Sequence, residues 1–138
     1  MNPAARQSEL IARLSIIEDS QERLAAVISR AKKWPVPDEA ERTEETRVLG
    51  CSSRVWLVGE IRDGHCHFRI EADSPLVKGI ATLVCEVYDG ARAEDIVAHE
   101  PGVIEGLKFD RMLSPTRLNG LAAVRAVIRA FAQSQLER

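Results

Sequence analysis

Cysteine, aromatic side chains and unbalanced charge are all scarce in this chain, and each shortage rules something out. Three cysteines, Cys51, Cys66 and Cys85, are spread through its 138 residues. An odd and widely spaced set makes no disulfide framework and suits a reducing compartment, where all three stay thiols. A formal net charge of −2 leaves no basic excess to neutralise phosphates, so nucleic acid is not expected as the main partner. With aromatics at 4% the core must be mostly aliphatic, and a hydrophobic share of 45% can build one without metal or disulfide. No run approaches the roughly 20 apolar residues of a membrane span, and the first residues hold no apolar segment of signal-peptide length. A cytoplasmic location is expected. Repeats, low-complexity tracts, Gly-rich phosphate loops, HExxH, GxSxG and paired-carboxylate patterns are also missing. No bound cofactor is expected, and a chemically active residue would take its substrate from another protein.

What is present divides into elements by period. Leu10, Ile11, Leu14 and Ile17 fall at helical spacing from Ser8 onward. Asp19 then offers an N-cap with Glu22 closing a capping box, ahead of Leu24, Val27, Ile28 and Ala31 on a second helix that ends near Trp34-Pro35. The two helices suit an α-hairpin. Pro35 to Leu49 is acidic, proline-bearing and poor in core residues, a solvated loop with a short helical turn. From Val55 the period changes to two, and Asp63-Gly64 supplies the turn of a β-hairpin whose second strand places Cys66, Phe68 and Ile70 on one face. Ser74-Pro75 and Ser114-Pro115 each pair a side-chain cap with proline at the first helical position. Short helical turns are expected over Ala93–Ala98 and around Val103–Leu107. The pattern predicts a single α+β domain over 1–138, with helices packed against one antiparallel sheet.

Cys51 is the candidate for chemistry, and a small buried hydrophobe is the other reading of its position. It sits between Gly50 and two serines, where a polar loop meets the first strand. Glycine there allows a tight turn and close approach by another molecule, and an accessible thiolate is a nucleophile. Arg54 is close enough in sequence to favour the anion. Cys66, on the apolar strand face, and Cys85, beside Val84 on a helix, read as small buried hydrophobes. His65 and His67 flank Cys66 but point the other way along a strand, so the three do not converge on one ion, and two histidines do not make a structural zinc site. His99 reads as a surface residue.

Three collinear blocks carry a resemblance. Val48-Leu49-Gly50-Cys51-Ser52-Ser53-Arg54-Val55-Trp56-Leu57-Val58, Ala72-Asp73-Ser74-Pro75-Leu76-Val77-Lys78-Gly79 and Leu113-Ser114-Pro115-Thr116-Arg117-Leu118-Asn119-Gly120-Leu121 resemble the patterns of the SufE family, the cysteine desulfuration proteins that include CsdE. The resemblance runs from about the second helix to the C-terminus. It implies a fold shared with IscU-type scaffold proteins. It also implies that Cys51 accepts persulfide sulfur from a PLP-dependent cysteine desulfurase of the SufS/CsdA type, stimulates that enzyme, and passes the sulfur to an Fe–S scaffold protein. On that reading the PLP is the partner's, and this chain is an accessory protein rather than an enzyme. Gly50, Arg54, Asp73 and Arg117 are then the candidates for supporting the Cys51 loop or docking the partner, with Val55, Trp56 and Leu76 as a sheltering wall. Thr46 stands where many members have asparagine, and Ser52 where Gln or Thr is frequent; both bear on how the loop is held. Two other classes stay open: a metal or cluster scaffold using Cys51, His65, Cys66 and His67, and a noncatalytic binding module with Cys51 buried.

Overall fold

The computed structural model describes residues 2–138. Helix α1 spans Pro3–Leu14, starting five residues before the expected Ser8, because Asn2 caps it through Ala5 N–H (2.8 Å) and Pro3 occupies its first position. It stops at Leu14, which leaves Ile17 in the turn to α2 (Ser20–Ala31). Asp19 caps α2 by accepting from Glu22 N–H at 2.9 Å. The reciprocal Glu22 bond is not made among the described residues. The full capping box lies instead in the Glu39–Glu41 turn, where Asp38 and Glu41 exchange side-chain-to-backbone bonds of 3.0 Å each way.

The hairpin forms as its period and turn require. Strands β1 (Val55–Arg62) and β2 (His65–Ala72) pair antiparallel from Val55 opposite Ala72 to Arg62 opposite His65. Asp63 and Gly64 both take positive φ (52° and 78°), the backbone that matches the twist of a two-residue turn. Leu57, Cys66, Phe68 and Ile70 are buried on the core face. A further strip of chain lies along the other edge of β1: Val48 N–H donates to Val55 carbonyl (2.8 Å) and Leu57 N–H to Thr46 carbonyl (2.9 Å). Thr46 anchors this strip, donating its hydroxyl to Glu41 carbonyl at 2.6 Å and accepting Thr43 N–H at 3.0 Å. No period announces so short an edge. Its consequence is a six-residue loop, Leu49 to Arg54, pinned at both ends.

Helix α3 (Pro75–Tyr88) is the central post. Both α1 and α2 pack mainly on it rather than on each other, so the expected α-hairpin does not form. Gly79 makes this crossing possible: a Cβ there would lie 3.0 Å from the Ile28 backbone Cα. Helices α4 (Ala93–Ala98), α5 (Val103–Gly106) and α6 (Pro115–Leu136) complete the molecule, and α6 covers α3, α4 and β1. The core is aliphatic apart from Phe68, Tyr88, Phe109 and the thiols Cys66 and Cys85. His99 is half-buried rather than a plain surface residue. Its carbonyl accepts from Tyr88 hydroxyl (2.9 Å) and Arg125 (2.7 Å), and burial together with nearby Arg125 lowers its ring pKa. No helix among the described residues is long and apolar enough to cross a membrane.

Candidate functional site

The pinned loop brings Cys51 against α6. Gly50 has φ +93°, a left-handed turn that L side chains rarely adopt. It directs the chain inward, so that Cys51 is half-buried while its neighbour Leu49 is 77% exposed. The Cys51 thiol donates to the Gly120 carbonyl at 3.2 Å. A Cβ on residue 120 would stand 3.2 Å from that sulfur, tighter than side chains normally pack, so glycine in the second turn of α6 is what makes the seat.

Cys51, Ser52 and Ser53 face Leu76, Val77, Ile80, Leu113, Arg117 and Leu121 across a small pocket. The expected wall holds for Leu76 only. Val55 is in the core proper, and Trp56 lies on the outer face of β1 with the Arg54 guanidinium 5.9 Å from its ring centroid. The pocket is partly open and its space is about 20 Å³, room for one water-sized atom. Burial pushes the Cys51 thiol above its ordinary pKa, and no cation offsets that push.

Arg54 is committed elsewhere. Its Nε donates to Asp73 Oδ2 (3.3 Å) and its backbone N–H to Asp73 Oδ1 (3.1 Å), while Asp73 N–H returns a bond to Arg54 carbonyl (3.1 Å). This clamp closes the base of the loop by tying the start of β1 to the end of β2. Arg117 lies in the first turn of α6, its backbone N–H capped by Ser114 Oγ at 3.2 Å. Its side chain lines the pocket, and its Nη1 is shut off from solvent without a hydrogen-bond partner among the described residues. Gly50, Cys51 and Arg117 therefore meet at α6, and Arg54 and Asp73 brace the loop from below. Gly120, Ile80, Leu113 and Leu121 were not singled out by sequence reasoning. The signal available was a glycine interior to a strong helix.

The remaining thiols and histidines stay apart from this site. Cys66 and Cys85 are fully buried, and burial raises both above the ordinary thiol range. His65 Nδ1 lies 2.9 Å from Asp63 carbonyl and His67 Nδ1 3.2 Å from Asp89 Oδ2. Among the described residues no group of three His, Cys, Asp or Glu side chains is placed to hold a metal ion.

Known proteins resemble this chain over most of its length. The family described as "SufE: Fe-S metabolism associated domain" matches residues 8–132. An uncharacterised SufE-like protein of Rhizobium meliloti (strain 1021) is 31% identical over 133 residues, covering 93% of this chain and 95% of that one. The chloroplastic quinolinate synthase of Oryza sativa subsp. japonica is 33% identical over 100 residues; the match takes in 72% of this chain and 14% of that longer protein. In fold, a solution structure of a hypothetical protein from Thermus thermophilus superposes with a TM-score of 0.80 at 21% identity, covering 100% of this chain and 99% of the other.

Proposed function

The chain belongs to the SufE family of Fe–S metabolism associated domains, and we propose that within that metabolism it is a sulfur acceptor whose Cys51 takes persulfide sulfur from a cysteine desulfurase. The observation that carries this reading is the seat of Cys51. Of the three thiols it alone reaches the surface, on a loop braced at both ends, beside an apolar pocket with room for one more atom.

Cys51 thiolate attacks the outer sulfur of the donor's persulfide. A new S–S bond forms on Cys51, the donor's own S–S bond breaks, and the donor leaves as a thiolate that takes up the proton released by Cys51. One persulfide is consumed and one is made, so nothing is oxidised or reduced overall. The step is thiol–disulfide exchange in kind, governed by thiolate fraction and access. A thiol whose pKa is raised by burial is a poor nucleophile at rest, so docking must lift the loop off α6 and rehydrate the sulfur. Return to the pocket then shelters the cargo from reductant and oxidant. The donor is a PLP-dependent desulfurase of the SufS/CsdA type, and the receiver is a cytoplasmic Fe–S scaffold protein. The PLP is the donor's, and this chain is the accessory partner.

Intact mass decides the matter. With a cysteine desulfurase and free cysteine the protein should gain about 32 Da, the mass of one sulfur transferred by exchange. The gain should vanish in Cys51→Ser and persist in Cys66→Ser and Cys85→Ser. Equal gains in all three variants would defeat the assignment. A scaffold has less to recommend it, since Cys66 faces the core and the two histidines are engaged with Asp63 and Asp89.

A further inference from the structure

Resting on the acceptor reading, we propose that Arg117 binds the terminal sulfur of a Cys51 persulfide as an anion. Arg117 lines the same pocket as Cys51, and its Nη1 is closed off from solvent with no partner among the described residues. Buried donors are nearly always paired, and a charged one left open is costly. A ligand that completes it is therefore favoured. Most of the other walls are apolar, Leu76, Val77, Ile80, Leu113 and Leu121 among them, and a low-dielectric lining strengthens any charge pair made inside.

Size and placement select the ligand. The pocket's space of about 20 Å³ holds one added atom rather than a metabolite. Residues three and four apart share a helix face, which puts Arg117 beside Gly120 and Leu121, at the point where the Cys51 sulfur rests. In the empty protein the thiol proton is given to the Gly120 carbonyl, and the guanidinium does not engage Sγ. A persulfide extends the side chain by one S–S bond, about 2 Å, into the space that Arg117 borders.

The chemistry matches that shift. After transfer the product is Cys51–S–SH. A hydropersulfide is a stronger acid than its parent thiol, and loss of its proton to solvent leaves Cys51–S–S⁻. The pocket thus holds a neutral thiol against a carbonyl when empty and an anionic sulfur against a cation when loaded. Arg117 acts on the loaded form alone.

The test uses inorganic polysulfide to load the wild-type protein, Arg117→Gln and Arg117→Lys. After removal of excess reagent, alkylation by iodoacetamide is followed against pH for loaded and unloaded samples, with products counted by intact mass. Arg117→Gln should raise the pH midpoint of the loaded sulfur by about one unit or more, the size of effect expected of a close opposite charge. It should leave the unloaded thiol where it was, and Arg117→Lys should recover most of the shift. A loaded midpoint that stays put, or one that moves together with the unloaded midpoint, overturns the proposal. So does a wild-type protein that takes up no sulfur on Cys51 from polysulfide. Loading from a desulfurase with cysteine is judged separately: a protein that passes the polysulfide test but gains nothing from the desulfurase keeps the anion seat and loses the acceptor role.

Discussion

At Gly120 the cost of glycine in a helix interior, about 1 kcal/mol relative to alanine, is set against the seat it makes for a sulfur atom. A methyl group there would stand 3.2 Å from Cys51 Sγ, and the exposed loop, not the packed helix, is the side free to give way. Gly120→Ala should therefore leave thermal stability unchanged or raise it by up to about 1 kcal/mol. It should also speed iodoacetamide alkylation of Cys51 by about fivefold, the rate equivalent of losing one hydrogen bond of roughly 1 kcal/mol. Melting and alkylation measured on the same samples check both halves. Slower alkylation would mean that the loop does not leave its seat. The Cys51 block itself was legible in the sequence, because glycine and serines around a cysteine mark a loop. That the thiol is hydrogen-bonded, half-buried and raised in pKa was not, since its partner is 69 residues away.

At the scale of elements, two pairings decide how the loop is carried. Gly79 lets α2 cross α3 at backbone contact, with Ile28 Cα 3.0 Å from where a Cβ would be. Backbone cannot swing aside, so Gly79→Ala should lose roughly 1–3 kcal/mol in chemical denaturation. That is the opposite outcome to the same substitution at Gly120. The Glu39–Glu41 turn is held to β2 by Glu41 and Arg69, whose bond, with help from the Asp38 backbone, keeps the Glu41 carboxyl at about 2 against an ordinary 4.5. Because the folded value is the lower one, this contribution is complete above pH 4.5 and is lost as pH falls toward 2. The gap in denaturation midpoint between wild type and Glu41→Gln should be constant near neutrality and close over that interval. A gap that widened with acid would contradict the pairing. Sequence period located both helices, and composition the acidic turn. It missed which surfaces meet, because the strip at Thr46–Val48 and the α2–α3 crossing are set by partners distant in the chain.

For the molecule as a whole, the buried Arg23 ties the α1–α2 turn to the far corner with three bonds. Arg23 donates to the carbonyls of Ile17 (3.0 Å), Leu107 (3.0 Å) and Glu18 (3.4 Å). A helical arginine amid charged neighbours gives no sign in sequence that it is buried. Arg23→Met keeps the apolar stem but strands these acceptors, and should cost roughly 1–3 kcal/mol of unfolding free energy. None of the groups it holds lines the Cys51 pocket, so alkylation of Cys51 in the folded protein should be unchanged. A matching rise in Cys51 reactivity would show that the corner and the site open together.

The sequence by itself determined most of the elements, the Ser74 and Ser114 caps and the loop that carries the candidate Cys51. Periodicity, Ser-Pro helix starts and an Asp-Gly turn act over a few residues, and three motif blocks lie within short stretches of chain. It left open what surrounds the thiol. The tertiary structure decided that Arg54 serves Asp73 rather than Cys51, that Gly120 receives the sulfur, and that Arg117 enters the same pocket with a donor to spare. The physical reason is that desolvation and hydrogen bonding depend on atoms a few ångströms apart in space, and here those atoms come from a loop near residue 51 and a helix that begins at residue 115.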